Sequence, residues 1–242
     1  MKIDYKYIED KEMPTIHQIV WYFFIFSFLG MIVENLFCLI TAGKLESRKG
    51  FIFGPFCPIY GVGAIILIIC MQWMKNEISA NKVIEIIVVF ILGGIIGSAF
   101  EYISSYYIQA MYGAKFWDYA GKFLNINGRT CFYFAISWGI LSVLLMYIMK
   151  PIADRFIKYI EPQNLEKQKI TDYILIIYMI INAIVTHIEL EKYMERVSLA
   201  YNEGIYNDSS WISNEALEWI FPNMAYVFRD GIMLKNVEIL SN

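Results

Sequence analysis

RKGFIFGPFCPIYGVG, residues Arg48 to Gly63, separates two strongly apolar segments and does not itself read as a membrane span. It places two cations, two prolines and four glycines where a spanning helix would carry apolar side chains. Pro55 and Pro58 fix φ and remove N–H donors, while Gly50, Gly54, Gly61 and Gly63 permit tight turns and close packing. The stretch therefore reads as shaped backbone, with Arg48 and Lys49 available to meet an anion.

Around it the chain has the composition of a membrane protein. Of its 242 residues, 58% are hydrophobic and 17% aromatic, and the mean hydropathy is +0.47. The apolar residues come in runs rather than on one face of amphipathic segments. Windows of about 20 apolar residues cross roughly 30 Å of hydrocarbon; they fall near 17–40, 58–74, 83–109, 131–149 and 172–190. The expected fold is thus an all-α polytopic membrane protein of about five transmembrane helices. A polar N-terminal segment (1–15) precedes a transmembrane helical bundle (16–200) with motif loops at 41–58 and 110–130. A C-terminal surface appendage (201–242) follows, in which NEALEWIF makes one short helix before Pro222. Phe51 to Phe56 is apolar enough to enter the bilayer as a re-entrant segment if protein covers its backbone. The fourth span is expected to stop at Lys150 and Pro151, and the fifth to leave the membrane as a polar extension through His187, Glu191 and Arg196.

Several functions are disfavoured. The net charge is −3 and the 20 basic residues are scattered, so no basic stripe serves a nucleic acid. The four cysteines show no CxxC spacing and the two histidines lie far apart, so neither a metal site nor a cofactor is expected. Cys57 and Cys131 fall in the two motif regions and are either paired or free in the core. No cleavable leader is expected in the first fifteen residues. No nucleophile elbow, zinc-protease motif or phosphate loop is present, so any ATP hydrolysis would come from a partner.

Two acids interrupt the apolar runs. Gly30-Met-Ile-Val-Glu34 and Gly97-Ser-Ala-Phe-Glu101 share a Gly-x-x-x-Glu spacing, and each precedes an arginine-containing loop and another span. Either the short match is coincidence or the chain is a parallel internal repeat of helix pairs 1–2 and 3–4. In both cases helical rise puts the two acids roughly 10–14 Å below one membrane face, which points to a shared cavity. Carboxylates in hydrocarbon usually face a bundle interior and a partner, and Arg48 and Arg129 are the expected partners. The acids would then bind a cation or proton, or hold the arginines for an anionic group; a buried structural pair is the alternative. Trp117-Asp118-Tyr119, followed by Asn125, Asn127 and Arg129, fits either a solute-contacting site or an aromatic belt.

Orientation rests on the positive residues. Lys and Arg tie at ten on each side of a five-span chain. Arg48, Lys49 and Arg129 sit in the motif loops, however, and Arg229 and Lys235 lie far from any span. Discounting them puts the N-terminus in the cytoplasm and the motif loops outside.

The succession SFLGMIVEN, RKGFIFGPFCPIYGVG, an intramembrane glutamate and FWDYAGKFLNINGRTCFYFAISWG resembles the ABC-transporter type IV permease family, the CmpB-like bacterial integral membrane proteins. The resemblance covers roughly residues 20 to 200. It implies a multi-pass protein of the bacterial plasma (inner) membrane. Its motif residues carry over as Glu34, Arg48, Gly50, Gly54, Pro55, Cys57, Pro58, Tyr60, Gly61, Glu101, Trp117, Asp118, Asn125, Gly128, Arg129 and Trp138. Of these, Glu34, Arg48, Tyr60, Glu101, Trp117, Asp118, Asn125 and Arg129 are the expected pocket, and the others shape it.

Three readings follow. The leading one is a transporter-like or permease-like protein whose pocket admits a small polar or ionic solute. The second is a membrane-embedded enzyme acting on a lipid or lipid-linked phosphate, with a glutamate as base and the arginines on the phosphate. The third is a non-catalytic membrane subunit or sensor. Membrane lipid and a cytoplasmic ATPase or other membrane subunit are the expected partners.

Overall fold

The computed structural model describes residues 13–77, 81–161, 164–208, 210–227 and 233–235. Most of the polar segment 1–15 and much of the tail beyond 227 lie outside the described residues.

Among the described residues, four helices are long and apolar enough to cross a membrane, and a shorter apolar helix packs among them. Helix α1 (Ile16–Ala42) starts at a capping box, where Thr15 accepts from the Gln18 N–H and the Gln18 side chain accepts from that of Thr15. It ends at Gly43, whose φ of 69° is the left-handed conformation that glycine adopts freely. Helix α2 (Pro58–Glu77) begins on a proline, which costs nothing at a helix start because that N–H has no helical partner. Its apolar part, Pro58–Met74, covers roughly 25 Å by helical rise, short of a full hydrocarbon layer. Helix α3 (Lys82–Tyr112) follows.

The fourth apolar segment does not stop at Pro151. Helix α4 (Phe132–Leu144) passes through a π turn (Leu145–Met149) into α5 (Lys150–Ile160) as one rod. Pro151 falls in the first turn of α5, where the wider π turn before it relieves the clash that would otherwise break the helix. Lys150, expected at a helix end, instead forms an ion pair of 2.8 Å with Asp154 along the rod, and the Tyr22 hydroxyl also donates to Asp154.

Helix α6 (Leu165–Glu203) outruns its apolar run at both ends. Asn164 caps it by accepting from the Glu166 and Lys167 N–H groups, and at its far end it continues as a polar extension to Gly204. The tail then folds back. Helix α7 (Asn214–Ile220) is capped by Ser213, and β2 (Ala225–Val227) pairs antiparallel with both β1 (Ala114–Lys115) and β3 (Met233–Lys235).

Two apolar clusters mark the ends of the bundle. One joins Ile52 and Ala114 of the motif loops to Leu190, Tyr193 and Val197 of α6 and to Leu217 and Phe221 of the tail. The tail, expected to be a surface appendage, thus contributes core to the end where both loops lie. The other cluster packs Tyr22 and Phe26 against Ile68, Met71, Val89 and Met146. Many outward residues are large and apolar, such as Ile40, Ile95 and Ile177, as a lipid-facing surface requires.

The tightest packing joins α1 to α2 and α3 to α4. A Cβ added at Gly30 would fall inside the Tyr60 side chain, and one at Gly97 would lie 2.5 Å from the Trp138 ring. One position further along each second helix, a Cβ at Gly61 would lie 2.7 Å from the Phe23 carbonyl, and one at Gly139 would lie 2.7 Å from that of Phe90. Phe23, Gly30 and Glu34 carry the same spacing as Phe90, Gly97 and Glu101.

Candidate functional site

The Arg48–Gly63 stretch is held by a helix far from it in sequence. Asn182 of α6 donates to the Phe53 carbonyl at 2.7 Å and accepts from the Phe53 N–H at 3.2 Å, while Thr186 accepts from the Ile52 N–H at 3.1 Å. The Gly50 N–H donates to the Phe56 carbonyl, and the Cys57 N–H donates to that of Ser27 in the body of α1. Asn182 lies mid-way along the apolar run of α6 and is 1% exposed. Irregular backbone at that depth survives only where protein satisfies its polar groups, and here two side chains of α6 do so.

Beside this loop sit the two acids. The Tyr60 hydroxyl, at the start of α2, donates to Glu34 Oε1 at 2.5 Å. The Tyr119 hydroxyl, from the second motif loop, donates to Glu101 Oε1 at 2.9 Å. Thr130 and Trp138 close around the Glu101 carboxyl, and the Trp138 ring lies against Tyr60, with centroids 5.9 Å apart. Glu34 is near enough to act electrostatically on Glu101, Cys57 and Tyr119. Glu101 is 5% exposed, and Thr130 beside its carboxyl is likewise buried. Burial, reinforced by Glu101, pushes the Tyr119 hydroxyl far above its usual pKa, so it remains a donor at any physiological pH.

The arginines are elsewhere. Arg48 bonds Cys38 Sγ at 3.1 Å and Glu46 at 3.3 Å. Arg129 donates to Ser105 Oγ at 3.1 Å and Gln109 Oε1 at 2.6 Å, between the rings of Tyr102 and Tyr106. The expectation that they pair with Glu34 and Glu101 is therefore corrected: among the described residues neither acid has an ion pair. The local carboxylate Glu46 captures Arg48, and the neutral acceptors of α3 capture Arg129 before either guanidinium reaches the acids.

Most other residues of the second motif serve its own loop. Asp118 accepts from the Ala120 N–H at 2.9 Å and lies 3.7 Å from Lys115 Nζ. Asn125 accepts from the Gly128 N–H and donates to the Lys122 carbonyl, and Trp117 donates to the Arg129 carbonyl at 3.0 Å. Gly128 has φ 67° and abuts Asp118. Trp117, Asp118 and Asn125 thus spend their polar atoms on the backbone that aims Tyr119. Gly54, also left-handed at φ 78°, packs on Phe56 in the first loop. Cys57 and Cys131 are free buried thiols.

Sequence reasoning passed over Asn182 and Thr186, although an amide and a hydroxyl inside an apolar run are a signal of a buried polar contact. It also passed over His17 and Asp172, which meet at 2.8 Å at the opposite end of α1 and α6, because each sits at a span edge where an interfacial polar residue is ordinary.

A family model described as Putative ABC-transporter type IV matches residues 21–187. No curated protein and no solved structure matches the chain.

Proposed function

The chain belongs to the ABC-transporter type IV family, and from that premise we propose that it is a permease-like membrane protein with one solute site. That site is built on Glu34 and Glu101, with Tyr60, Tyr119 and Trp138 as its walls. One observation carries the reading: a buried carboxylate, Glu101, and a half-buried one, Glu34, each met by a tyrosine hydroxyl and by no basic side chain among the described residues. An anionic solute would face both acids unaided. A bound cation or proton relieves their repulsion, and the surrounding aromatic faces add cation–π attraction. The solute class is therefore a small cation, with a proton as the limiting case.

The rest of the proposal follows from this placement. Helix α2 completes a fifth crossing together with the re-entrant Arg48–Cys57 segment, and the hairpins α1–α2 and α3–α4 are parallel copies of one unit. Residues 16–200 form the bundle, the N-terminus faces the cytoplasm of a bacterium, and the motif loops open outward. An ATPase or other membrane subunit supplies any energy, since the chain has no phosphate loop.

Native mass spectrometry of the purified protein with tetramethylammonium as probe tests the site. Retention should fall about tenfold or more, the equivalent of about 1.4 kcal/mol, in both Glu34→Gln and Glu101→Gln. Unchanged retention in both variants would refute it.

A further inference from the structure

Among the described residues, no acidic side chain pairs with Arg129. Its two bonds go to the neutral acceptors Ser105 and Gln109. Those bonds use two of its five donors. The guanidinium is nevertheless held in place: the Tyr102 and Tyr106 rings lie 5.8 Å and 5.4 Å from it, and Asn127 donates to the Tyr102 hydroxyl at 3.0 Å. Ser105 and Gln109 lie one and two helical turns beyond Glu101, toward the membrane face.

The surroundings of this cation are apolar and open. Phe123, Leu124 and Ile126 at the loop tip are each more than half exposed, as is Tyr106 beside the guanidinium. Leu124 has φ 48°, a left-handed conformation that a leucine side chain disfavours. The loop presents Phe123, Leu124 and Ile126 outward between the exposed polar residues Lys122, Asn125 and Asn127, and contact of the three apolar side chains with hydrocarbon is favourable.

We propose that Arg129, framed by Tyr102 and Tyr106, binds the phosphate of an anionic phospholipid headgroup whose acyl chains lie against Phe123, Leu124 and Ile126. A guanidinium fork suits a phosphate, and tyrosines favour the depth at which headgroups sit. A free phosphate would use the fork but not the apolar tip. A second copy of the chain is disfavoured, because a twofold contact through this patch would bring two arginines together.

Native mass spectrometry of the full chain, exchanged into micelles holding equal phosphatidylglycerol and phosphatidylcholine, tests the assignment. The wild type should retain phosphatidylglycerol preferentially; Arg129→Gln should lower that preference about tenfold, and Arg129→Lys should restore part of it. Glycerol phosphate in the buffer should compete poorly. Equal retention of the two lipids by the wild type overturns the proposal without recourse to any variant. So does full displacement by glycerol phosphate, which would mark a soluble-anion site, or an unchanged preference in a folded Arg129→Gln protein. Tetramethylammonium retention should survive Arg129→Gln, and its loss there would overturn the separation of this site from the glutamate pair.

Discussion

In the α1–α2 hairpin, Tyr60 fills the space beside Gly30 and its hydroxyl reaches Glu34. In the α3–α4 hairpin, Trp138 fills the space beside Gly97, and the hydroxyl that reaches Glu101 comes from Tyr119 in the preceding loop. Packing thus repeats while the donor moves. A glycine one turn before each glutamate lets a ring from the next helix lie flat on the backbone, and the glutamate takes what polar group is nearby. The loops differ in a related way. The first is pinned from outside by Asn182 and Thr186, the second from within by Asp118, Asn125 and Trp117. A loop at bundle depth needs a neighbouring helix to satisfy it, whereas a loop nearer the membrane face can close on itself.

Substituting the two kinds of pin should break this symmetry most visibly. Asn182→Leu removes partners from both the N–H and the carbonyl of Phe53, and each polar group orphaned away from water costs about 1–3 kcal/mol. Asn125→Ala frees the Gly128 N–H and the exposed Lys122 carbonyl of the second loop, at about 0.5–1.5 kcal/mol. Unfolding in mixed micelles should rank them in that order, and equal losses would erase the distinction between the loops.

Gly30→Ala and Gly97→Ala sharpen the other half of the comparison. Each pushes a methyl group into a ring of the facing helix, an overpacking that costs about 1–3 kcal/mol. The two losses should match within the error of the unfolding measurement. Tolerance at one position alone would mean that the hairpins are not equivalent.

Smaller still are Tyr60→Phe and Tyr119→Phe, which keep both rings and remove one hydrogen bond to each glutamate. About 1 kcal/mol of stability is at stake in each, but tetramethylammonium retention should change in both. A change in one variant only would assign the solute to a single hairpin.

Apolar run length made the bundle legible before any coordinates, and the Gly-x-x-x-Glu spacing pointed to Glu34 and Glu101 because a carboxylate in hydrocarbon needs a reason. What charge alone misassigned were the arginines. Arg48 and Arg129 are near the acids in sequence, but a guanidinium goes to the acceptors its own backbone brings within reach, and Glu46, Ser105 and Gln109 are closer. The fourth segment continues past Pro151 because a proline is a poor stop signal when a π turn precedes it. Asn182 stands out as an amide inside an apolar run, but nothing local names its partner, Phe53, 129 residues away.

Modification by dicyclohexylcarbodiimide, an apolar reagent that attacks carboxyl groups inside membranes, tests the shared site most directly. If Glu34 and Glu101 form one site, intact-mass analysis should show a single adduct per chain, shared between the two positions and suppressed at both by tetramethylammonium. Two adducts on one chain, or protection of one glutamate while the other reacts freely, would contradict it.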